Sequence, residues 1–149
     1  MTNSKSVPTV QLVTKTVFAL KARPSIAPKG LQKGTFLSAV NETGTEAGEE
    51  FNRLIVTVAL EAKDAKGQPF QVEEKYNLLP NGRGLNAFIK DYEAWSGQEL
   101  TEDDLYSFDC NEKVKGPVVV EIDHRKEGKD PKAVIIAFHN PNATEQAAA

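Results

Sequence analysis

The sequence predicts a mainly β single domain in which five strands are interrupted by one helix between the third and the fourth. Two patterns and one count carry that expectation. Leu54, Val56, Val58 and Leu60 fall on one face at a spacing of two, with Arg53, Ile55, Thr57 and Ala59 on the other; the same spacing recurs at Phe70, Val72, Tyr76 and Leu78 and in two runs ending at Ile122 and Phe138. After Pro80 the period changes from two to about 3.6, with Leu85, Phe88, Ile89, Tyr92 and Trp95 on one stripe. A chain of 149 residues, 40% of them apolar, can bury roughly 70% of its unfolded surface around one core.

The elements follow in chain order. Val10 to Leu20 reads with apolar residues at either strand or helix spacing, and its Val and Thr content favours a strand. Arg-Pro-Ser-Ile-Ala-Pro-Lys-Gly is an extended connector, because each proline removes a donor and biases its predecessor away from helix. A first strand of the main sheet is expected from Thr35 to Val40, followed by a Gly-rich, acidic loop from Asn41 to Glu50. The run through Leu60 is a long central strand; Asp64 to Gly67 turns it into a hairpin with the third strand. The helix covers 84–96, and Gly97 ends it. Thr101-Glu-Asp-Asp resembles an N-cap followed by acids, so a short second helix should carry Leu105, Tyr106 and Phe108. Val118 to Ile122 and Val134 to Phe138 close the chain as a hairpin around the charged loop His124 to Lys132. Residues 1–33 are thus a basic N-terminal extension, 34–140 the folded domain, and 141–149 a disordered tail.

Composition narrows the function classes. The start, Met-Thr-Asn-Ser-Lys-Ser, leads into no apolar run of signal-peptide type, and nothing approaches the roughly 18 apolar residues of a membrane span, so a cytoplasmic protein without membrane contact is expected. The single cysteine, Cys110, excludes an intrachain disulfide and a cysteine-built zinc site, and is expected as a small half-buried residue, with a reactive thiol as the alternative. If the last hairpin is centred near Gly128, His124 faces Ala133 and His139 lies near Val118, too far apart to share a metal. His124 is then either a solvated loop residue or a polyanion contact. There is no nucleophile elbow, P-loop or zincin helix, and the carboxylates lie in solvated runs, so neither an enzyme nor a cofactor is expected. Asn81-Gly82-Arg83-Gly84 opens the helix and reads first as a turn with a cap, and only secondarily as a phosphate cradle.

Charge is unevenly placed. Between Met1 and Val40 there are six bases and no acid, so with a net charge of −3 the remainder carries −9. From Asp91 to Glu112 eight acids occur without a Lys or Arg among them. The basic lead-in either engages a polyanion through its local field or only aids solubility.

A three-stranded meander, a helix and a closing hairpin match the order of the five-stranded OB barrel, whose helix plugs the open end. In the layout of KGTFLSAV, NRLIVTVALEAKD, KYNLL, GLNAFIKDYEAW and KGPVVVEIDHRKEGKDPKAVIIAF, the run from Thr35 to Phe138 resembles the OB-fold single-stranded-DNA-binding proteins of bacteriophages and other mobile elements, over about two-thirds of the chain. The resemblance implies an OB-like barrel that binds single-stranded nucleic acid without sequence preference. OB folds bind along the face of strands two and three and the loop between the last two strands. That places Arg53, Lys75 and Phe51 on the floor of the site, Arg125, Lys126 and Lys129 on its wall, and Lys21 and Arg23 nearby as long-range attraction. Lys and Arg would track phosphates and Phe51 would stack a base. The stripe Phe88, Tyr92 and Trp95 is expected in the core instead. The competing expectation is a protein-interaction or scaffolding subunit, with a protein partner or homo-oligomer at the acidic region 91–112.

Overall fold

The computed structural model describes residues 24–78 and 82–142. The expected strand over 10–20, the bases Lys21 and Arg23, Pro80 and the tail beyond Asn142 lie outside the described residues.

The domain is mainly β. Five antiparallel strands, β1 (Gly30–Glu46), β2 (Glu49–Lys63), β3 (Pro69–Asn77), β4 (Pro117–Glu127) and β5 (Asp130–His139), form one sheet in the order β3-β2-β1-β4-β5. Leu54, Val56, Val58 and Leu60 alternate into the core from β2, as their spacing requires, and meet Val72 and Tyr76 of β3 and Val118, Val120 and Ile122 of β4. A bulge at Leu37 shifts the register between β1 and β2 and leaves that leucine on the surface.

Two expected loops are strand instead. The segment 41–50 continues the β1–β2 ladder to a two-residue turn at Ala47 and Gly48, whose φ values of 53° and 82° match the twist of a tight hairpin. Likewise the β4–β5 ladder runs on to Glu127 opposite Asp130. Both tips stand clear of the core, so neither face selects apolar residues and the alternation that marks a strand vanishes while the backbone pairing persists. The hairpin is centred as expected, with His124 opposite Ala133 and His139 opposite Val119.

Helix α1 (Arg83–Ser96) ends as its sequence indicates: Gly97 takes φ 71° and donates its N–H to the Glu93 carbonyl. Its buried side chains, Phe88, Tyr92 and Trp95, pack over both edge strands. Trp95 lies 4.8 Å from Phe36 of β1 and 5.0 Å from Phe138 of β5, and Phe88 lies 5.3 Å from Tyr76 of β3, as ring centroids. Helix α2 (Glu102–Tyr106) starts at a capping box, with the Asp104 amide donating to the Thr101 hydroxyl and the Thr101 amide donating to the Asp104 carboxylate. It stops before Phe108, which leaves the helix yet packs edge-on against Phe88 and Tyr92. A further turn, α3 (Cys110–Lys113), capped by Asp109, is too short to show a period in the sequence; Cys110 is half-buried, as expected.

The sheet does not close into the expected barrel. β3 and β5 are its two edges and approach each other without a hydrogen-bonded ladder. Alternation fixes which face of a strand is buried but says nothing about whether the outer strands meet. Among the described residues no helix is long and apolar enough to cross a membrane.

Gly84 shows how tightly α1 is seated on the end of β3, because a Cβ at this position would run into the Asn77 backbone. Gly84→Ala should destabilise the domain by about 1–3 kcal/mol in urea unfolding. Gly116→Ala has open space around it and should incur only the smaller penalty of its positive φ. Equal losses at the two positions would show that the α1–β3 approach is looser than described.

Candidate functional site

The open seam between β3 and β5 forms a groove of about 740 Å³. Residues 25–27, leading into β1, run along it, and Ala27 is buried in the core. His124 fixes that segment, donating from Nε2 to the Ala27 carbonyl at 2.6 Å, so its ring is engaged within the protein. One lip is β3 with Lys75 and Glu73 and the other is β4 and β5 with Arg125 and Lys132.

Glu74 escapes a reading of the sequence, although it occupies an inward slot of the series Phe70, Val72, Tyr76. It is half-buried in the groove wall, and its carboxyl is raised above the usual range by burial and by the charge of Asp91; the Lys75 amide and Arg125 oppose that rise. Asp91, from α1, is raised by burial, while the Tyr76 hydroxyl that donates to it at 2.7 Å and the charge of Lys90 act the other way. Tyr76 itself is pushed up by burial and by Asp91. Glu74, Tyr76 and Asp91 therefore form a small polar cluster at the rim of the core, of which Glu74 reaches the groove.

The second surface is the outer face of β1, β2 and β3. Phe51 and Arg53 project there, on the side away from Leu54 and Val56. The register sets Val40, Ile55 and Lys75 in one row, Glu42, Arg53 and Asn77 in the next, and Gly44 and Phe51 in the third. Leu37 and Val40 are half-exposed on it. Arg53 donates through Nε to Glu42 at 2.9 Å and lies over the Phe51 ring, 4.5 Å from its centroid.

The sequence-derived site residues therefore fall into three groups. Phe51 and Arg53 touch each other, Lys75 and Arg125 line one groove, and Lys126 and Lys129 are exposed at the β4–β5 tip beyond it. Glu42, the partner that compensates Arg53, is absent from those expectations; only the register of the hairpin reveals it. Among the described residues no group of three or more His, Cys, Asp or Glu side chains is placed to hold a metal ion.

Because Glu74 and Asp91 have folded pKa values above their unfolded ones, the native state binds more protons than the unfolded chain between those values, and stability falls as pH rises through that window. Glu74→Gln should remove part of this loss, so the variant gains stability relative to wild type in urea unfolding as pH goes from about 4 to 7. A wild type that gains on the variant over the same range would contradict the assignment. Neither a protein-family model nor a curated protein matches the chain.

Proposed function

We propose that this protein is a non-catalytic, cytoplasmic binder of single-stranded nucleic acid that reads no base sequence, and that its fold is an OB-like barrel left open at one seam. The strand order β3-β2-β1-β4-β5, with α1 inserted between β3 and β4 and packed over both edges, supports the fold reading, since OB barrels are five-stranded and partly open. In such folds the ligand runs over strands two and three and the loop joining strands four and five.

The observation that carries the reading is the pairing of Lys75 and Arg125 on facing lips of one groove. It joins the outer face of β2 and β3 to the basic β4–β5 tip, where Lys126 and Lys129 extend the cationic track. Such a track follows phosphates, which position a strand without reading it. The exposed acids Glu46, Glu49 and Glu50 at the β1–β2 tip repel a polyanion and direct its path toward the groove.

One observation favours a protein-interaction subunit instead. Tyr106 on α2 is 85% exposed beside the exposed acids Asp103, Asp104 and Asp109, as an interface anchor would be.

Fluorescence anisotropy with a labelled oligothymidylate and a duplex of equal length, each at two salt concentrations, separates the readings. Wild type should prefer the single strand. Joint replacement of Lys75, Arg125, Lys126 and Lys129 by Gln should weaken binding equally for all base compositions. The slope of log affinity against log salt should flatten by roughly 0.7 for each phosphate that the variant no longer neutralises. No measurable affinity of wild type for any single strand at low salt would end the reading and direct attention to Tyr106.

A further inference from the structure

We propose that Arg53 binds an unpaired nucleobase through the flat face of its guanidinium, with Phe51 and Glu42 as positioning residues that hold that face in place. The inference rests on the single-strand reading above and changes the part each residue plays in it.

The two-residue turn at Ala47 and Gly48 sets Glu42 opposite Arg53 and Gly44 opposite Phe51. Each contact of the group follows from that register. The distal edge of the Phe51 ring comes close to Gly44, where a Cβ would sit 2.9 and 3.0 Å from its nearest ring carbons, so a larger residue there would require the ring to shift. Arg53 then covers the ring at 4.5 Å from its centroid, and Glu42 accepts from its Nε at 2.9 Å. A guanidinium stacks readily on an aromatic ring, and a planar fork held at one edge and backed by a ring loses less freedom on binding than a loose side chain. About a third of the Arg53 side chain, 36%, remains open to solvent.

Electrostatics decides what that open surface takes. Arg53 already has Glu42 against it at 2.9 Å and the exposed acids Glu46, Glu49 and Glu50 further along the same hairpin. A phosphate brought here meets net negative charge. An uncharged planar ring meets no such opposition, and bases are known to stack on guanidinium planes as well as on aromatic rings. With one face of its ring under the guanidinium, Phe51 backs the platform, and the base lies on Arg53. The strand then divides its contacts, with bases on the face of β2 and phosphates at Lys75 and Arg125.

The test compares an oligothymidylate with an abasic strand of the same length, which keeps every phosphate and lacks every base. Wild type should bind the base-bearing strand tighter, by roughly five- to 150-fold for one stacked base. Arg53→Lys keeps the charge and loses the plane, so its preference should fall toward unity with the salt slope unchanged. Glu42→Gln releases the guanidinium and uncovers its charge. Its base preference should shrink while the salt slope steepens by roughly 0.7 as the freed guanidinium neutralises one more phosphate, a change that a merely structural pair would not produce. Equal binding of the two strands by wild type, or a full base preference retained by Arg53→Lys, overturns the proposal while leaving the single-strand reading intact. Failure of wild type to bind either strand removes both.

Discussion

The aromatic contact between α1 and the two edges of the sheet is the constraint on which the other features depend. β3 and β5 share no ladder, so backbone hydrogen bonds alone would let the sheet flatten. Trp95 against Phe36 and Phe138 holds one side, and Phe88 against Tyr76 holds the other, with Tyr92 and Phe108 filling the angles between them. Such tilted and edge-to-face aromatic pairs contribute about 0.5–1.5 kcal/mol each beyond the area they bury. The helix can approach this closely because Gly84 presents no side chain to the end of β3. The curvature these contacts impose keeps the edges near each other without joining them, and the groove is the space that remains.

Polar groups are arranged around that groove in layers. Tyr76 and Asp91 face each other above the aromatic core, and Glu74 stands next to them in the wall, its charge partly opposed by Arg125. On the lips, Lys75 lies 4.0 Å from Glu73 on one side, and Arg125 stands on the other. On the outer face the order is reversed: the cation Arg53 is compensated by Glu42 and backed by Phe51, and the uncompensated charge at the hairpin tip is acidic. In the proposed binding mode the phosphates of a strand would keep to the groove lips and away from the acidic hairpin tip, while its bases would lie on the β2 face.

Much of this is legible in the residues. The alternation through Leu54 and Leu60 identifies the central strand, the stripe Phe88, Tyr92 and Trp95 identifies the buried face of α1, and Gly97 and Thr101 mark helix ends that the structure retains. The strand ends at 41–50 and 124–132 are not legible, because a hairpin tip with solvent on both faces has no apolar period to display. The pairing of Glu42 with Arg53 is hidden for the same reason. It depends on the Ala47-Gly48 turn, and once that turn is placed, every cross-strand partner of the ribbon's outer half follows by counting back from it. Glu74 is detectable in principle as a charged residue in an apolar slot of a period-two series. The open seam is not detectable, since alternation within strands carries no information about which outer strands meet.

Hydrogen–deuterium exchange with and without a bound oligothymidylate tests the account most directly, because the amides along the facing edges of β3 and β5 have no ladder partner across the seam and should exchange readily in the free protein. Binding should slow exchange in β2 around Phe51 and Arg53, along β3 from Gln71 to Lys75, and at the β4–β5 tip near Arg125, with α2 and α3 unchanged. Protection confined to residues 101–113, with β2 and β3 unaffected, would contradict it.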